Sequence, residues 1–478
     1  MAIVKQSFIS NLIGQDNYDG FKEIAKIIKG TRWEGHVFLV GGAVRDLLMK
    51  RPIKDIDLCV DMVDGGIDFA EWICKETDCY KNGSNPVVFT RFQTAKFNIR
   101  SIKDIAEVDI ETVCTRKETY TEANGRKPEV KYGTINEDCL RRDLTINALY
   151  VNISTDEVLD PSGKGIEDLH NCIIRTPTDP NKTYLDDPLR MLRCIRFAAR
   201  FGWGIERDTW IGIVTNAHRI NTISQERITD EINKILISNR PSYGIRQLNR
   251  CGLLKKVLPE VHKLIGCTQG HQHFGDVFEH TMAALEKTKP IIEHRMAALL
   301  HDIAKPECKS TVNGVIHFFS HEYRGATIAT EILKRMKYSN LETKSIVTAI
   351  KNHMRFKQSG NHCPSNKAIR KFVSEIGSDQ LDIVLDVINA DNNSHDELFN
   401  YPDQTDLIRL KIAELSEKEK MTDKIVLPIN GNDIMEHFNM KKGPKIGEYL
   451  DLIKEKYLDN PSISKEECFE IIKGKLVY

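Results

Sequence analysis

The stretch Phe38-Leu-Val-Gly-Gly-Ala-Val-Arg-Asp-Leu-Leu48, followed closely by Lys54-Asp-Ile-Asp-Leu-Cys-Val60, decides the fold of the N-terminal part of the chain. It predicts a strand, a glycine turn, a helix and a second strand that carries Asp55 and Asp57. Because side chains two residues apart on a strand point to the same face, the two carboxylates can bind a pair of hard cations such as Mg²⁺. The glycine turn opens onto a helix N-terminus, which favours phosphate. The stretch therefore predicts phosphoryl or nucleotidyl transfer assisted by metal ions.

Neighbouring residues decide how these two acids are interpreted. Taken alone, two acids with this spacing are more often a solvated strand edge than a metal site. Gly41, Gly42 and Arg45 favour the metal site, because they supply a phosphate-binding turn close by in the sequence. A third carboxylate could come from the predicted strand Asp109-Ile-Glu111, whose two acids also share a face. Glu111 is therefore a third candidate catalytic residue.

The composition of the 478 residues, 41% hydrophobic and 28% charged, is typical of a soluble globular protein with roughly two to four domains. No apolar run approaches the roughly 20 residues that a membrane-crossing helix needs, and the N-terminus lacks the layout of a signal peptide. The twelve cysteines form no CxxC pair, which favours reduced thiols and a cytoplasmic protein. Since the net charge is zero, any nucleic-acid binding must use local basic patches.

The pattern of residues changes along the chain. Runs of β-type residues, broken by Gly and Asn turns, fill about residues 35 to 160, whereas helical periodicity begins at Pro188 and continues from there. Turn-rich segments near residues 265 and 400 mark further boundaries. The sequence therefore predicts an α+β head, a small mixed sheet with helices, followed by an extended all-α remainder.

Motifs in the first 260 residues resemble those of the class II tRNA nucleotidyltransferase and poly(A) polymerase family. They occur in the family's order and cover most of residues 38 to 260. The matching stretches are Gly41-Gly-Ala-Val-Arg45-Asp with Lys54-Asp-Ile-Asp57, Glu111-Thr-Val-Cys-Thr-Arg-Lys-Glu-Thr-Tyr120, Leu140-Arg-Arg-Asp-Leu-Thr-Ile-Asn-Ala-Leu149, Asp160-Pro-Ser-Gly-Lys-Gly-Ile-Glu-Asp-Leu169, Asp186-Asp-Pro-Leu-Arg-Met-Leu-Arg-Cys-Ile-Arg-Phe-Ala-Ala-Arg200 and Ser224-Gln-Glu-Arg-Ile-Thr-Asp-Glu-Ile232. The family often has Glu-Asp where this chain has Asp186-Asp187, so Asp186 departs from the family pattern.

The resemblance implies which residues bind the nucleotide. Arg142 would help to bind it, while Asp143 and Asn147 would line its sugar. We expect Arg142 and Asp143 to form a compact charged pair, and a surface salt bridge with a capping asparagine is the alternative. The full set of nucleotide-binding residues that the resemblance implies is Gly41, Gly42, Arg45, Arg142, Asp143, Asn147, Asp187, Arg190, Arg193 and Arg196.

Asp187 and Arg190 are the candidates for choosing the base. Their spacing predicts neighbours on one helical face. A carboxylate accepts from an exocyclic amine and a guanidinium donates to a ring nitrogen, so one such pair can read cytosine or adenine, and the resemblance implies this use. Arg193 and Arg196 would continue the face toward the phosphates. The alternative is an amphipathic helix with ordinary intrahelical salt bridges.

A second set of candidate metal ligands follows in the helical remainder. The order of a histidine, a His-Asp pair, two further histidines and an aspartate resembles the HD superfamily of metal-dependent phosphohydrolases. Imidazoles with carboxylates suit a transition metal such as Ni²⁺, Mn²⁺ or Fe²⁺. The resemblance implies hydrolysis of phosphomonoesters or 2′,3′-cyclic phosphates at RNA ends; scattered polar histidines and an inactive HD fold are the alternatives. The ligands would be His280, His301, Asp302, His321, His353 and Asp391, with His271 and His273 as loop residues.

The sequence thus predicts a template-independent enzyme that adds or repairs the CCA end of tRNA from CTP and ATP, with Mg²⁺ in its head. A poly(A) polymerase, an enzyme adding only CC or only A, and an HD phosphohydrolase with an RNA-binding head are the alternatives. The tail carries glycines and lysines that suit contact with a phosphate backbone, or equally helix capping and packing. The predicted domains are a helical lead-in (1–30), the catalytic head (31–165), a neck and body for nucleotide selection and RNA binding (166–265), the HD domain (266–400) and a helical tail (401–478).

Overall fold

The computed structural model of the protein describes residues 2–4, 24–53, 56–77, 85–90, 93–99, 108–119, 129–270, 275–360, 362–395, 400–422, 427–459 and 462–476. Within these ranges a mixed sheet with helices is followed by a long, mainly helical region, so the predicted fold class is confirmed. Of the predicted lead-in, residues 24–28 are helical. No helix of the described part of the chain is both long and apolar enough to span a membrane.

The strands of the described chain are β1 Ala2–Val4, β2 Val37–Val40, β3 Ile56–Val60, β4 Val87–Phe89, β5 Thr94–Ile99, β6 Val108–Cys114, β7 Arg116–Thr119, β8 Glu129–Tyr132, β9 Tyr150–Asn152, β10 Val158–Asp160, β11 Ile173–Ile174, β12 Gly204–Ile205, β13 Lys309–Val312 and β14 Val315–Phe318. Eight of these described strands form the sheet of the head, in the order β1-β10-β9-β2-β3-β6-β5-β4. Within it β3 and β6 run parallel, and the other neighbouring strands are antiparallel.

The helices are numbered from the helical residues 24–28, which form α1. They are α2 Gly42–Leu48, α3 Gly65–Glu76, α4 Ile135–Leu140, α5 Gly165–Asn171, α6 Pro180–Asp186, α7 Leu189–Phe201, α8 Arg207–Asn216, α9 Gln225–Leu236, α10 Pro241–Arg250, α11 Leu254–Val257, α12 Pro259–His262, α13 Val277–Lys287, α14 Ile292–Leu300, α15 Lys305–Cys308, α16 His321–Arg335, α17 Asn340–Asn352, α18 Asn366–Ile376, α19 Leu381–Asn392, α20 Gln404–Thr422, α21 Gly431–Phe438, α22 Pro444–Asp459 and α23 Lys465–Leu476.

Side chains of β2 and β3 point alternately to the two faces of the sheet, and each face has its own apolar core. Leu39 and Leu58 lie in the core that the apolar sides of α2 and α3 complete. Phe38 and Cys59 lie in the core on the opposite face, together with Tyr150. Because side chains two residues apart share a face, the alternation directs Asp57 to the face of Cys59.

The helical region is not all-α as predicted, because two short pairs of strands interrupt it. Strands β11 and β12 pair in parallel, and β13 and β14 form a hairpin. The hairpin turns at Asn313 and Gly314, which both have positive φ. An Asn-Gly pair between β-branched residues is the strongest short sequence signal for such a turn, so the hairpin was predictable.

Two apolar cores hold the chain beyond the head. One contains buried side chains from Leu144 through Leu415 and joins the neck to the helices that follow it. The other contains Ile429 through Ile472 and holds the tail. Asn430 caps α21 through the backbone N–H groups of Asn432 and Asp433, which favours the packing interpretation of this segment.

Candidate active site and candidate metal centre

Asp57 and Glu111 lie side by side, because β3 and β6 run parallel with these two residues in register. Gly41 lies next to Asp57, where β2 turns into α2 with a φ of +70°. A Cβ on Gly41 would lie 3.8 Å from Asp57 Oδ2 and 3.5 Å from Arg142 Nη1. The glycine therefore leaves a small space between a carboxylate and a guanidinium, and carboxylate oxygens are the ligands that Mg²⁺ prefers. Asp55 lies outside the described residues.

Arg142 is held in this position by Asp138, a residue that the sequence reasoning missed. Asp138 is fully buried, and its Oδ2 accepts from Arg142 Nε at 3.0 Å and from the Tyr150 hydroxyl at 2.6 Å. Arg141 binds the other oxygen. Burial acts to raise the pKa of Asp138, but the two arginines hold it well below its ordinary value. The predicted pairing of Arg142 with Asp143 is wrong, since each has a different partner.

Asp143 forms a buried chain of contacts between the head and the neck. Its Oδ2 accepts from Arg193 Nε at 2.7 Å, and its Oδ1 accepts from Asn147 Nδ2 at 3.2 Å. The Oδ1 of Asn147 in turn accepts from Arg45 Nη1 at 2.6 Å. Arg45, which is 3% exposed, lies on α2 and Arg193 on α7, so the four side chains connect the catalytic head to the helix that follows it.

The Asp143–Arg193 pair is expected to make the stability of the protein depend on pH. Burial acts to raise the pKa of Asp143, but Arg193 and Asn147 lower it to about 2, against about 3.9 in the unfolded chain. The contribution is fully present above the unfolded pKa and is lost as the pH falls through the folded pKa. It amounts to about 2 to 3 kcal/mol at neutral pH and roughly half of that at pH 3.

Urea unfolding of the wild type and of Asp143→Asn, each at pH 7 and pH 3, checks this expectation. The stability difference between the two proteins should shrink at pH 3. The exposed Asp109, which pairs with Lys96 at 3.0 Å, provides the control Asp109→Asn. A difference for Asp143→Asn that stays constant over this pH range would contradict the ion pair.

Asp187 and Arg190 do not share a helical face, so this prediction is wrong. Asp187 precedes α7 in an extended conformation, because the residue before a proline, here Pro188, is disfavoured in the helical region. The two residues stay close nonetheless, since the Arg190 N–H donates to the Asp187 carbonyl at 3.0 Å. Asp187 Oδ2 accepts from Arg227 at 2.8 Å, a contact that was not predicted.

The guanidinium groups of the other predicted residues on α7 contact acids of the protein. Arg196 Nη1 lies 3.2 Å from Glu231 Oε1, and Arg193 Nη1 lies 3.8 Å from the same oxygen. Glu231 is a buried residue of α9, and burial raises its pKa even though Arg196 and Arg193 act to lower it. Arg190 Nη2 lies 3.9 Å from Glu118 Oε2. These contacts join α7 to α9 and to the head.

The six predicted ligands of the second site come together in the helical region, all of them buried. Asp302 lies at the middle of the group, with Oδ2 at 3.2 Å from His301 Nε2 and Oδ1 at 3.3 Å from His321 Nε2. His280 Nε2 lies 3.0 Å from Asp391 Oδ1. The cluster also contains His353, whose Nε2 lies 3.2 Å from that of His321.

His395 belongs to the same cluster and was not predicted. It groups with His280 and Asp391, their ligand atoms all within 4.8 Å of one another. The signal was available, because His395 follows Asp391 by four residues, which is about one helical turn. We call these seven residues the histidine–aspartate cluster: His280, His301, Asp302, His321, His353, Asp391 and His395. His271 and His273 lie outside the described residues.

The five histidines of the cluster all direct the same ring nitrogen, Nδ1, toward a backbone carbonyl group. Each Nδ1 lies between 2.7 and 3.4 Å from a backbone carbonyl oxygen. Because a carbonyl can only accept, Nδ1 carries the proton and Nε2 keeps its lone pair. Histidines that bind a metal are held by such a second hydrogen bond. The donor set of imidazole nitrogens and carboxylate oxygens therefore fits a transition metal ion.

The charges of two of the histidines agree with this interpretation. Burial lowers the pKa of His353 to about 3 and that of His395 to about 4, so both are neutral at pH 7, as metal ligands must be. His301 differs, because burial acts to lower its pKa but the neighbouring Asp302 raises it above the ordinary value. Burial acts to raise the pKa of Asp302 and Asp391, but His301 and Lys305 hold the first well below its ordinary value, and Lys357 and His280 do so for the second.

Three family models match the chain. Residues 37–175 match the poly A polymerase head domain, residues 202–265 match the probable RNA and SrmB-binding site of polymerase A, and residues 271–397 match the HD domain. The chain is 30% identical to the A-adding tRNA nucleotidyltransferase of Deinococcus radiodurans, across 67% of this chain and 75% of that protein. It is 27% identical to the CC-adding tRNA nucleotidyltransferase of Thermus thermophilus, across 90% of this chain and 92% of that protein.

Other comparisons match only part of a relative's length, or show a similar fold at low sequence identity. The mitochondrial CCA tRNA nucleotidyltransferase of Candida glabrata is 35% identical across 45% of this chain. The chain spans less than half the length of this and two other yeast relatives. The solved Thermotoga maritima CCA-adding enzyme complexed with tRNA shares the fold, with 18% identity, 100% of each chain covered and a TM-score of 0.60.

Proposed function

The chain belongs to the tRNA nucleotidyltransferase family, and on this premise we propose that it adds or repairs the 3′-terminal CCA of tRNA from CTP and ATP without a template. The observation that carries the proposal is that Asp57 and Arg142 both border Gly41, while Glu111 lies beside Asp57 on the neighbouring strand. Carboxylates on adjacent strands can bind metal ions, and a guanidinium group beside them can bind a triphosphate. The partners would be the tRNA 3′ end and the two nucleotides.

The residues of the head would have different roles in binding the metal ions and the triphosphate. Asp55, Asp57 and Glu111 are the proposed ligands of Mg²⁺, which would supply Lewis-acid activation of the tRNA 3′-hydroxyl and charge neutralisation at the triphosphate. Arg142, fixed by Asp138, would bind a phosphate oxygen beside them. Gly41 and Gly42 would keep the space open for this phosphate.

The helix α7 and its surroundings would choose the nucleotide. Asp187 would accept from the exocyclic amine of cytosine or adenine, and Arg190 would donate to the neighbouring ring nitrogen. Asp143 and Asn147 would border the sugar. The contacts of Arg45, Arg193 and Arg196 with protein groups favour a positioning role for these three, close to the nucleotide.

Removing the carboxylate of Asp187 is expected to weaken base selection. Asp187→Ala should lower kcat/KM for CTP and ATP by about tenfold to a hundredfold, because a charged acceptor for the amine is lost. UTP presents a carbonyl at that position and should be affected less, so the preference for CTP over UTP should narrow. Steady-state kinetics with the three nucleotides measure this, with Asp186→Ala as the matched control. An unchanged preference in Asp187→Ala would assign base selection to other residues.

Incubating the full chain with a tRNA transcript that lacks CCA, and with single nucleotides, tests the proposed activity. We expect CTP alone to add two residues, and CTP with ATP to add three. Addition of CC only, or of A only to a tRNA ending in CC, would establish a partial enzyme, as the names of the Thermus and Deinococcus relatives describe. Long tails from ATP alone would establish a poly(A) polymerase, which the neutral net charge disfavours.

A second candidate activity is favoured by the orientation of the five histidines. The histidine–aspartate cluster would hold a transition metal such as Ni²⁺, Mn²⁺ or Fe²⁺ and hydrolyse a phosphomonoester or a 2′,3′-cyclic phosphate at an RNA end. Hydrolysis that persists in Asp57→Ala and disappears in His301→Ala would support an independent site. Hydrolysis without any nucleotide addition by the wild type would instead favour a phosphohydrolase with an RNA-binding head.

The cytoplasm is the proposed location of the reaction. The eleven cysteines of the described residues form no disulfide with one another, and a reducing compartment keeps cysteines as thiols. Fractionation of the source cells with an antibody against the chain tests the location. Enrichment in an organelle, as the names of some yeast relatives would suggest, would contradict it.

A further inference from the structure

Lys357 lies at the rim of the histidine–aspartate cluster without belonging to its ligand set. It begins the 3₁₀ turn Lys357–Ser359, four residues after His353. Its ammonium group lies 2.7 Å from Asp391 Oδ2 and 3.1 Å from His395 Nε2. The lysine side chain is 22% exposed, whereas that of Asp391 is 5% exposed and that of His395 is 3% exposed. Lys357 therefore connects the buried cluster with the solvent.

Each carboxylate of the cluster is paired with a lysine, and the two lysine side chains differ in how far they are exposed to solvent. Lys305 lies 2.7 Å from Asp302 Oδ2 and is 6% exposed. Its ammonium lies 5.3 Å from the centre of the Phe318 ring, and it donates to Gln269 Oε1 at 3.2 Å. Lys305 is thus enclosed by protein groups. Lys357 is partly exposed, and its flexible side chain can turn toward the solvent.

The ammonium of Lys357 lies where the cluster offers ligands to a cation. The carboxylate of Asp391 and the Nε2 lone pair of His395 both face it, and these are the kinds of atoms that bind a transition metal. A metal ion on Asp391 and His395 would compete with the ammonium for the same atoms. The displaced ammonium, a compact charge with three donors, is suited to a phosphate oxygen.

We propose that Lys357 is the phosphate-binding residue of the histidine–aspartate cluster, and that it neutralises Asp391 until a metal ion takes this place. The phosphate would be that of a phosphomonoester or of a cyclic phosphate. The proposal rests on the phosphohydrolase activity proposed above, and it adds the residue that recognises the substrate's charge. Loading with metal and binding of phosphate are then coupled through one side chain.

Calorimetric titrations of the full-length protein test both halves of the proposal, first with Mn²⁺ and then with inorganic phosphate on the Mn²⁺-loaded protein. In Lys357→Met the affinity for Mn²⁺ should rise about tenfold, because the competing ammonium is gone, and the affinity for phosphate should fall about tenfold or more. Lys357→Gln should behave in the same way, while Lys357→Arg, which keeps the charge, should retain phosphate binding. Lys351→Met is the matched control, since Lys351 lies on α17 with its ammonium near the Tyr323 ring.

The possible results separate the role of Lys357 from the function of the cluster. Weaker Mn²⁺ binding in Lys357→Met would overturn the proposal, because the lysine would then support the ligands. Unchanged phosphate binding in a variant that still binds Mn²⁺ would overturn it as well. Failure of the wild type to bind Mn²⁺, Ni²⁺ or Fe²⁺ would overturn the phosphohydrolase activity and the role of Lys357 together. Nucleotide addition by each variant at the wild-type rate verifies that the chain is folded.

Discussion

Asp57→Asn is expected to lower the incorporation of CTP and ATP into a tRNA lacking its CCA end by roughly a thousandfold or more, since bound metal ions supply several kcal/mol of transition-state stabilisation. Asn keeps the size of the side chain and removes its charge. The carboxylate lies beside Glu111 in the paired strands and near the space that Gly41 leaves open. Single-turnover measurements at saturating nucleotide isolate the chemical step from tRNA binding.

Asp109→Asn is the matched control for this prediction. Asp109 shares a strand with Glu111, and its exposed ion pair with Lys96 contributes at most about 1 kcal/mol. Its loss should leave the rate within about twofold and lower the free energy of unfolding by no more than this amount, as urea unfolding of both variants would verify. Wild-type rates from Asp57→Asn would mean that Asp57 does not bind the metal ions, and the proposed role of the acids would be wrong.

Asp138→Asn is expected to destabilise the protein by about 3 to 5 kcal/mol, because removing one charge of a buried ion pair leaves its partners uncompensated. Here two arginines and a hydroxyl depend on one fully buried carboxylate. The same change should release Arg142 and raise KM for CTP, since Arg142 would no longer be fixed beside Gly41. Urea unfolding and steady-state kinetics measure the two effects.

Tyr150→Phe provides the control for Asp138→Asn. It removes the hydrogen bond that the hydroxyl donates to the same carboxylate and the one that it accepts from Arg142 Nε at 3.1 Å. It should cost about 1 to 2 kcal/mol and change KM less than Asp138→Asn does, because the carboxylate that fixes Arg142 remains. A stability of Asp138→Asn equal to that of the wild type would mean that the arginines find other partners, and Arg142 would not depend on this acid.

The sequence was sufficient for features that local patterns determine. The strand, glycine turn and helix around Gly41 follow from residue types within a few positions. Six members of the cluster were instead identified through the resemblance to the HD superfamily. The Asn313-Gly314 hairpin and His395 were also within reach, because a turn signal and a spacing of one helical turn indicate them.

The remaining features depend on partners that are distant in the sequence. Asp138 becomes important through Tyr150 and two arginines that the folded head brings to it. Arg193 and Arg196 could be placed on α7 from their spacing, but the acids that they contact lie on other elements, Asp143 and Glu231. Such pairings are decided by the packing of helices against one another and against the head, which periodicity does not specify.

The continuous core from Leu144 through Leu415 has a consequence for how the two sites respond to their ligands. Helices that share one core tend to unfold together as a cooperative unit, so we expect the histidine–aspartate cluster to unfold together with α7. A ligand that binds only the folded state stabilises the whole unit in which it lies. Metal ions bound by the cluster would therefore also protect α7, the helix proposed to select the nucleotide, from hydrogen exchange and proteolysis.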